Sequence, residues 1–166
     1  LWRAKPVYKT NFTQAINSLS NHILQCSQCF RFDEVNSEKL CPVCADKNRD
    51  SKTLMVVEKD VDAEGVEAAN VYKGQYFILG SLMTRANTRR ARTAPRTAEF
   101  LQRIQNDAPT GLTEVILAVA TPPHVELTAH ALQSKIPRFV PDKKTSLLGC
   151  RLYPGDQMDS AHQDTR

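Results

Sequence analysis

The chain of 166 residues is 41% hydrophobic and 24% charged, a balance that supports a folded core and excludes global disorder. No apolar run reaches the roughly 18 residues that a membrane-spanning helix needs, and the opening Leu1-Trp2-Arg3-Ala4-Lys5-Pro6 lacks the apolar stretch of a secretory signal. The net charge of +4 is only mildly basic, but Arg85, Arg89, Arg90, Arg92, Arg96 and Arg103 crowd one stretch with Glu99 the single acid among them.

In chain order, residues 13–25 are predicted as a helix. Ile16, Leu19 and Ile23 recur at three- and four-residue spacing, with Thr13 or Asn11 available as N-cap. That helix would run straight into Cys26 and deliver the first half of the most specific pattern in the chain. Cys26-x-x-Cys29 is followed, after a finger loop over residues 30–40, by Cys41-x-x-Cys44, with Pro42 suited to the second tight turn. Two such turns present four thiolates in a tetrahedron and leave no coordination position for water, so the ion expected here is a structural Zn2+. Without an export signal the pairs read as metal ligands in a reducing compartment rather than as disulfides. Cys150 stands apart and reads as an ordinary buried thiol.

From residue 54 the texture changes. Residues 54–57 form a short buried-strand run ending on Glu58, and residues 60–70 a helix weakened by Gly65. A second apolar strand covers 76–79 and closes at Gly80. Residues 85–96 contain Pro95 and no periodicity, which predicts a loop. Residues 97–105 follow as a helix with Phe100, Leu101 and Ile104 on one face. The clearest strand is 114–119. Beyond Pro122-Pro123, residues 124–135 read as a helix, with 139–140 and 146–148 as short strands and a polar tail from Gly155. Apolar runs alternating with helices predict an α/β domain with a mostly parallel sheet covered on both faces.

Taken together these motifs resemble the bacterial recombination-mediator family RecR. The double Cys-x-x-Cys with Asp46-Lys47-Asn48-Arg49-Asp50 behind it is similar to that family's zinc finger. Leu54-Met55-Val56-Val57-Glu58, Asp62 and Tyr72-Lys73-Gly74-Gln75-Tyr76-Phe77-Ile78-Leu79-Gly80 resemble the opening of its Toprim domain. Residues 114–118 and 126–129 resemble a later strand and helix, and Leu148-Gly149-Cys150-Arg151-Leu152-Tyr153-Pro154-Gly155 its closing segment. The resemblance divides the chain into an N-terminal helical segment (1–25), a four-cysteine zinc finger (26–52), a Toprim-like α/β domain (53–143) and a C-terminal segment (144–166). It implies a DNA repair and recombination scaffold in the bacterial cytoplasm, at the nucleoid. Such a scaffold assembles as a dimer or tetramer around single-stranded or gapped DNA and works with RecO-like and RecF-like partners to load RecA. The family's N-terminal helix-hairpin-helix module has no counterpart here, so a fragment or a reduced version is expected. Where the family has two glutamates flanking a glycine, this chain has His124, Val125 and Glu126.

Catalytic Toprim domains hold Mg2+ with a glutamate after the first strand and an Asp-x-Asp after a later one. Glu58 fills the first place, but residues 119–126 read Val-Ala-Thr-Pro-Pro-His-Val-Glu, with no such pair. A phosphate-binding Gly-x-x-x-x-Gly-Lys-Ser/Thr loop is absent, and His22, His124, His130 and His162 form no metal-ligating pair. The expected protein is therefore not an enzyme, with a Mg2+-dependent Toprim nuclease or primase-type enzyme as the alternative. Arg85, Arg89, Arg90, Arg92 and Arg96 are the candidate phosphate contacts, extended by Lys47, Arg49 and Lys52. Glu58 is either a functional group at a strand's C-terminal end or a solvated carboxylate there. For Glu126 the resemblance implies a docking charge for RecO, against an exposed helix-start acid favoured by the dipole.

Overall fold

Helix α1, Pro6–His22, opens the first unit of the chain, Leu1–Asn48. Proline suits its first turn, because its fixed φ is helical and its missing N–H would have had no partner there. In this computed structural model, residues 5–82, 95–119 and 126–148 are described. The helix starts seven residues before the predicted 13 and stops before Gln25. Ile23 turns extended (φ −97°, ψ 109°) and begins strand β1, Ile23–Gln25, which pairs antiparallel with β2, Phe32–Glu34. A hairpin rather than a helix therefore delivers Cys26. The short helix α2, Pro42–Ala45, carries the second cysteine pair into its turn.

The second unit, Arg49–Arg166, holds the sheet. Its described elements are β3 (Asp50–Val57), α3 (Asp60–Ala69), β4 (Gly74–Ile78), α4 (Thr97–Asp107), β5 (Glu114–Ala118), α5 (Glu126–Phe139) and β6 (Lys144–Leu147). All pairings are parallel and the order is β4-β3-β5-β6. Val56 stands opposite both Phe77 and Leu117, so these three share a face, and the Phe77 ring meets Phe100 of α4 at 5.4 Å. Met55 stands opposite Tyr76 on the other face, where the Tyr76 hydroxyl reaches Glu67 of α3. Helices cover both faces of β3 and β4. Hence Leu54, Val56, Val57, Phe77, Ile78 and Leu79 are all buried, and their strands read as unbroken apolar runs.

Three predicted boundaries shift for physical reasons. β3 begins four residues early, because Asp50 to Thr53 are polar strand residues that an apolar run cannot reveal. α3 ends at Asn70, which adopts the left-handed conformation (φ 54°, ψ 27°) that Asn tolerates better than most residues. Residues 139–140, predicted as a strand, instead close α5. That helix continues through Pro137 to Phe139, and the Val140 amide still bonds back to the Ile136 carbonyl at 2.9 Å. None of the described helices is long and apolar enough to cross a membrane.

The chain leaves β3 for β4 on one side and later lays β5 on the other. Connections diverge at the C-terminal ends of β3 and β5, the place where open α/β sheets form their crevices. Glu58 is the first residue beyond β3 at that point.

Candidate metal centre

The two cysteine turns are built alike. The Phe30 amide bonds to the Cys26 carbonyl at 3.1 Å and the Ala45 amide to the Cys41 carbonyl at 2.9 Å, so each knuckle is closed by the same backbone bond four residues on. Phe30 takes a positive φ of 65° to turn the first knuckle back, and the Gln25 amide group fastens its carbonyl at 3.1 Å. The finger loop is held by Asn36, whose side-chain oxygen accepts the Glu38 and Leu40 amides at 3.0 and 2.9 Å. The Ser27 amide then bonds to the Lys39 carbonyl at 2.9 Å, drawing the two halves together.

This folding buries all four thiols and brings their sulfurs within 4.8 Å of one another. Cys29 Sγ and Cys41 Sγ are 3.6 Å apart, close to the edge of about 3.8 Å expected when four sulfurs sit at ~2.3 Å from a zinc ion. The Cys41 amide points at Cys26 Sγ at 3.4 Å, a donor placed to stabilise thiolate charge. Val35, Leu40 and Val43 pack against the cluster and keep water off it. Mutual hydrogen bonding splits the thiols. Cys26 is driven down by bonds from Cys29, Cys41 and Cys44, whereas Cys44 is driven up by bonds to the other three. Cys26 pushes Cys41 upward, but bonds from Cys29 and Cys44 bring it to about 7. Four buried thiolates repel one another unless a cation sits among them, and this soft, closed set of four sulfurs fits Zn2+. Among the described residues this is the one cluster of three or more metal-ligating side chains.

The other singled-out residues are scattered. Glu58 is largely covered and pairs with Lys59 at 3.3 Å, while its carbonyl accepts the Gly80 amide at 2.8 Å. Glu126 is the first residue of α5. Arg85, Arg89, Arg90 and Arg92 lie outside the described residues, as do His124 and Val125. Arg96 donates to the Ile78 carbonyl at 3.1 Å and lies across Gly80, whose φ of +80° and missing Cβ leave the guanidinium room. Arg103 is turned to Asp107 and Gln75.

Arg49, predicted from sequence to extend a basic surface, is instead locked within its own unit. Its guanidinium grips the Glu67 carboxylate with both terminal nitrogens, bonds the Gly74 carbonyl at 3.0 Å and lies 5.9 Å from the centre of the Tyr76 ring. Tyr76 donates to Glu67 at 2.7 Å, and Tyr72 donates to the Thr53 and Gln75 carbonyls at 3.1 and 3.0 Å. Burial pushes the Tyr72 hydroxyl up to about 12, so it stays a donor at any physiological pH. No short-range pattern announces this network. Its one sequence signal is a Glu in the last turn of a helix, where the dipole disfavours acid unless a cation answers it.

Curated proteins similar to this chain are recombination proteins RecR. That of Psychrobacter sp. (strain PRwf-1) is 32% identical over 127 residues, covering 76% of this chain and 62% of that protein. That of Syntrophobacter fumaroxidans is 32% identical over 125 residues, 74% of this chain and 57% of its own length. That of Francisella tularensis subsp. novicida is 28% identical over 149 residues, 90% of this chain and 71% of its own. The chain thus spans 62% and 57% of the first two relatives, and a match of 149 residues is longer than either compact unit, so it runs through both. No protein-family model matches the chain.

Proposed function

Proceeding from a RecR-like recombination and repair protein as premise, we propose that this chain is a zinc-containing, non-catalytic scaffold for repair at DNA gaps. The observation that carries the proposal is the similarity to RecR proteins running through both the cysteine unit and the parallel-sheet unit. Cys26, Cys29, Cys41 and Cys44 hold a structural Zn2+, whose charge offsets the repulsion of four buried thiolates and ties hairpin β1-β2 to α2. Arg85, Arg89, Arg90 and Arg92 contact phosphates of single-stranded or gapped DNA. Arg96 anchors the end of that segment to the sheet by its bond to Ile78. Glu58 and Glu126 are the docking acids for basic partners, RecO-like and RecF-like proteins that load RecA. The working form is a dimer or tetramer in the bacterial cytoplasm.

A salt titration of fluorescently labelled single-stranded and gapped DNA tests the DNA role. Affinity should fall with log salt at a slope of about −0.7 per phosphate contact on single strands, with little sequence preference. Replacing Arg85, Arg89, Arg90 and Arg92 by Gln should flatten that slope. The absence of any binding at low salt would remove DNA from the proposal. The position of Glu58 at the switch point favours one second reading, a Mg2+-dependent nuclease or primase-type enzyme. DNA incubated with Mg2+ or Mn2+ decides it: turnover abolished by Glu58→Gln would replace the scaffold.

A further inference from the structure

No Asp or Glu precedes Asp33 in the chain. Arg3, Lys5, Lys9 and Arg31 are the Lys and Arg residues ahead of it, so the net charge of +4 lies wholly in this stretch, and beyond it basic and acidic residues balance. Helix α1 and its N-cap Lys5 sit inside the stretch, and their first turns repeat one short pattern, Lys5-x-x-Tyr8 followed at once by Lys9-x-x-Phe12. Residues three or four apart on a helix are neighbours, so each ring has a lysine one turn before it and the two units stand one above the other. Both rings face outward, Tyr8 59% and Phe12 40% exposed. They lie parallel, with 10° between their planes and 6.5 Å between their centres.

That chemistry selects the occupant. An aliphatic surface would be met equally well by Leu or Ile and has no use for cations. The remainder of the helix, with Ile16 and Leu19, is of that kind and carries neither a ring nor a lysine. A nucleotide with an unpaired base calls for both groups at once, a π face for the base and a cation for the phosphate beside it. The spacing adds a further condition. Ring centres 6.5 Å apart are about two of the ~3.4 Å steps that separate stacked bases along a strand. Neighbouring bases must therefore part from one another to meet the two rings, which a single strand permits and a duplex resists.

We infer that the first half of α1 is a base-stacking site for single-stranded nucleic acid, in which Tyr8 and Phe12 each hold an unpaired base and Lys5 and Lys9 meet the adjoining phosphates. Every base has a π face, so the site accepts any sequence. The inference rests on the DNA role in the proposed function and adds to it a site that senses bases as well as phosphate charge. The two therefore fail separately.

The test uses the whole zinc-loaded chain and two labelled strands of about 12 nucleotides, oligothymidine and an abasic strand that keeps the phosphates and lacks the bases. The parent should bind oligothymidine at least about tenfold more tightly than the abasic strand. Tyr8→Leu with Phe12→Leu keeps helix propensity and apolar surface but removes both π faces. It should weaken oligothymidine binding about tenfold and leave both the abasic strand and the salt slope unchanged. Tyr8→Phe with Phe12→Tyr, which keeps both rings, should bind as the parent does. Lys5→Gln with Lys9→Gln should flatten the salt slope by about 1.4. An oligouridine strand separates the two sources: ring-dependent binding of either strand supports the inference, and the tighter of the two names the natural ligand. One zinc per chain in each variant shows that the finger still folds, and Phe12→Leu alone carries the same comparison should the double variant lose its zinc. A parent that binds the abasic strand as tightly as oligothymidine would overturn the stacking site and leave the DNA role of the arginine segment standing. So would a Leu/Leu pair that binds as the parent does, which would mark this face as an apolar contact for protein. No binding of any strand at low salt would overturn both.

Discussion

At Glu67, burial alone would raise the carboxyl pKa, but hydrogen bonds from Arg49 and Tyr76 outweigh it and hold the group below the ordinary value of about 4.3. A depressed native pKa means that the unfolded state binds the proton more readily. The stability this group contributes is therefore complete above about pH 5 and is lost as pH falls through the native pKa. Glu67→Gln should accordingly lower stability by about 2 kcal/mol at neutral pH, because Arg49, only 12% exposed, loses its counter-charge. The same variant should show a shallower acid limb in urea titrations between pH 6 and pH 3. An acid limb identical to that of the parent would show that Glu67 contributes nothing by charge. At the cysteines, Cys41→Ser removes one of four ligands, the thiol whose sulfur lies 3.6 Å from Cys29 Sγ. Zinc content should fall below one per chain, and a competing chelator should extract the remainder at least tenfold faster.

Two glycines of the sheet unit show how an element's surroundings decide the sign of one substitution. A Cβ on Gly74, at the start of β4, would stand 2.2 Å from both Thr53 Oγ1 and the Tyr72 hydroxyl oxygen. Tyr72 cannot yield easily, since its hydroxyl ties β3 to β4 through the Thr53 and Gln75 carbonyls. Gly74→Ala should cost about 2–3 kcal/mol in urea unfolding. Gly65, in the middle of α3, has nothing within 4 Å of its would-be Cβ. Gly65→Ala should therefore stabilise by roughly 0.5–1 kcal/mol, through helix propensity and a less free unfolded chain. A stabilising Gly74→Ala, or a destabilising Gly65→Ala, would contradict the packing described around β4 and α3.

Over the whole molecule, the two compact units draw on different sources of stability. Among the described residues, the sheet unit buries apolar side chains from Leu54 to Val140, whereas the buried residues of the first unit are its cysteines. Chelation should therefore erase amide protection at Cys26, Ser27, Phe30 and Ala45, while β3, β4 and β5 keep theirs in hydrogen-exchange measurements. Loss of protection in both units at once would show that the finger supports the sheet. The same contrast explains what could be read early. Cysteine spacing and the apolar runs 54–57, 76–79 and 114–119 were legible because each is a local pattern, a ligand pair or an unbroken apolar strand run, and locality survives in one dimension. Residues such as Arg49, Arg96 and Arg103 were legible only as positive charge. Apart from Asp107, the i,i+4 partner of Arg103, their partners Glu67, Ile78 and Gln75 lie 18 to 28 positions away, and nothing local ranks one distant acceptor over another. The start of α1 at Pro6 and its end at Ile23 were likewise set by a proline and by the pairing of Gln25 with Phe32. By itself, then, the amino-acid order determined that four thiols would converge and that a parallel sheet would follow them. Only the tertiary structure decided which cations were consumed inside the fold, because burial and pairing are properties of neighbours that the chain acquires on closing.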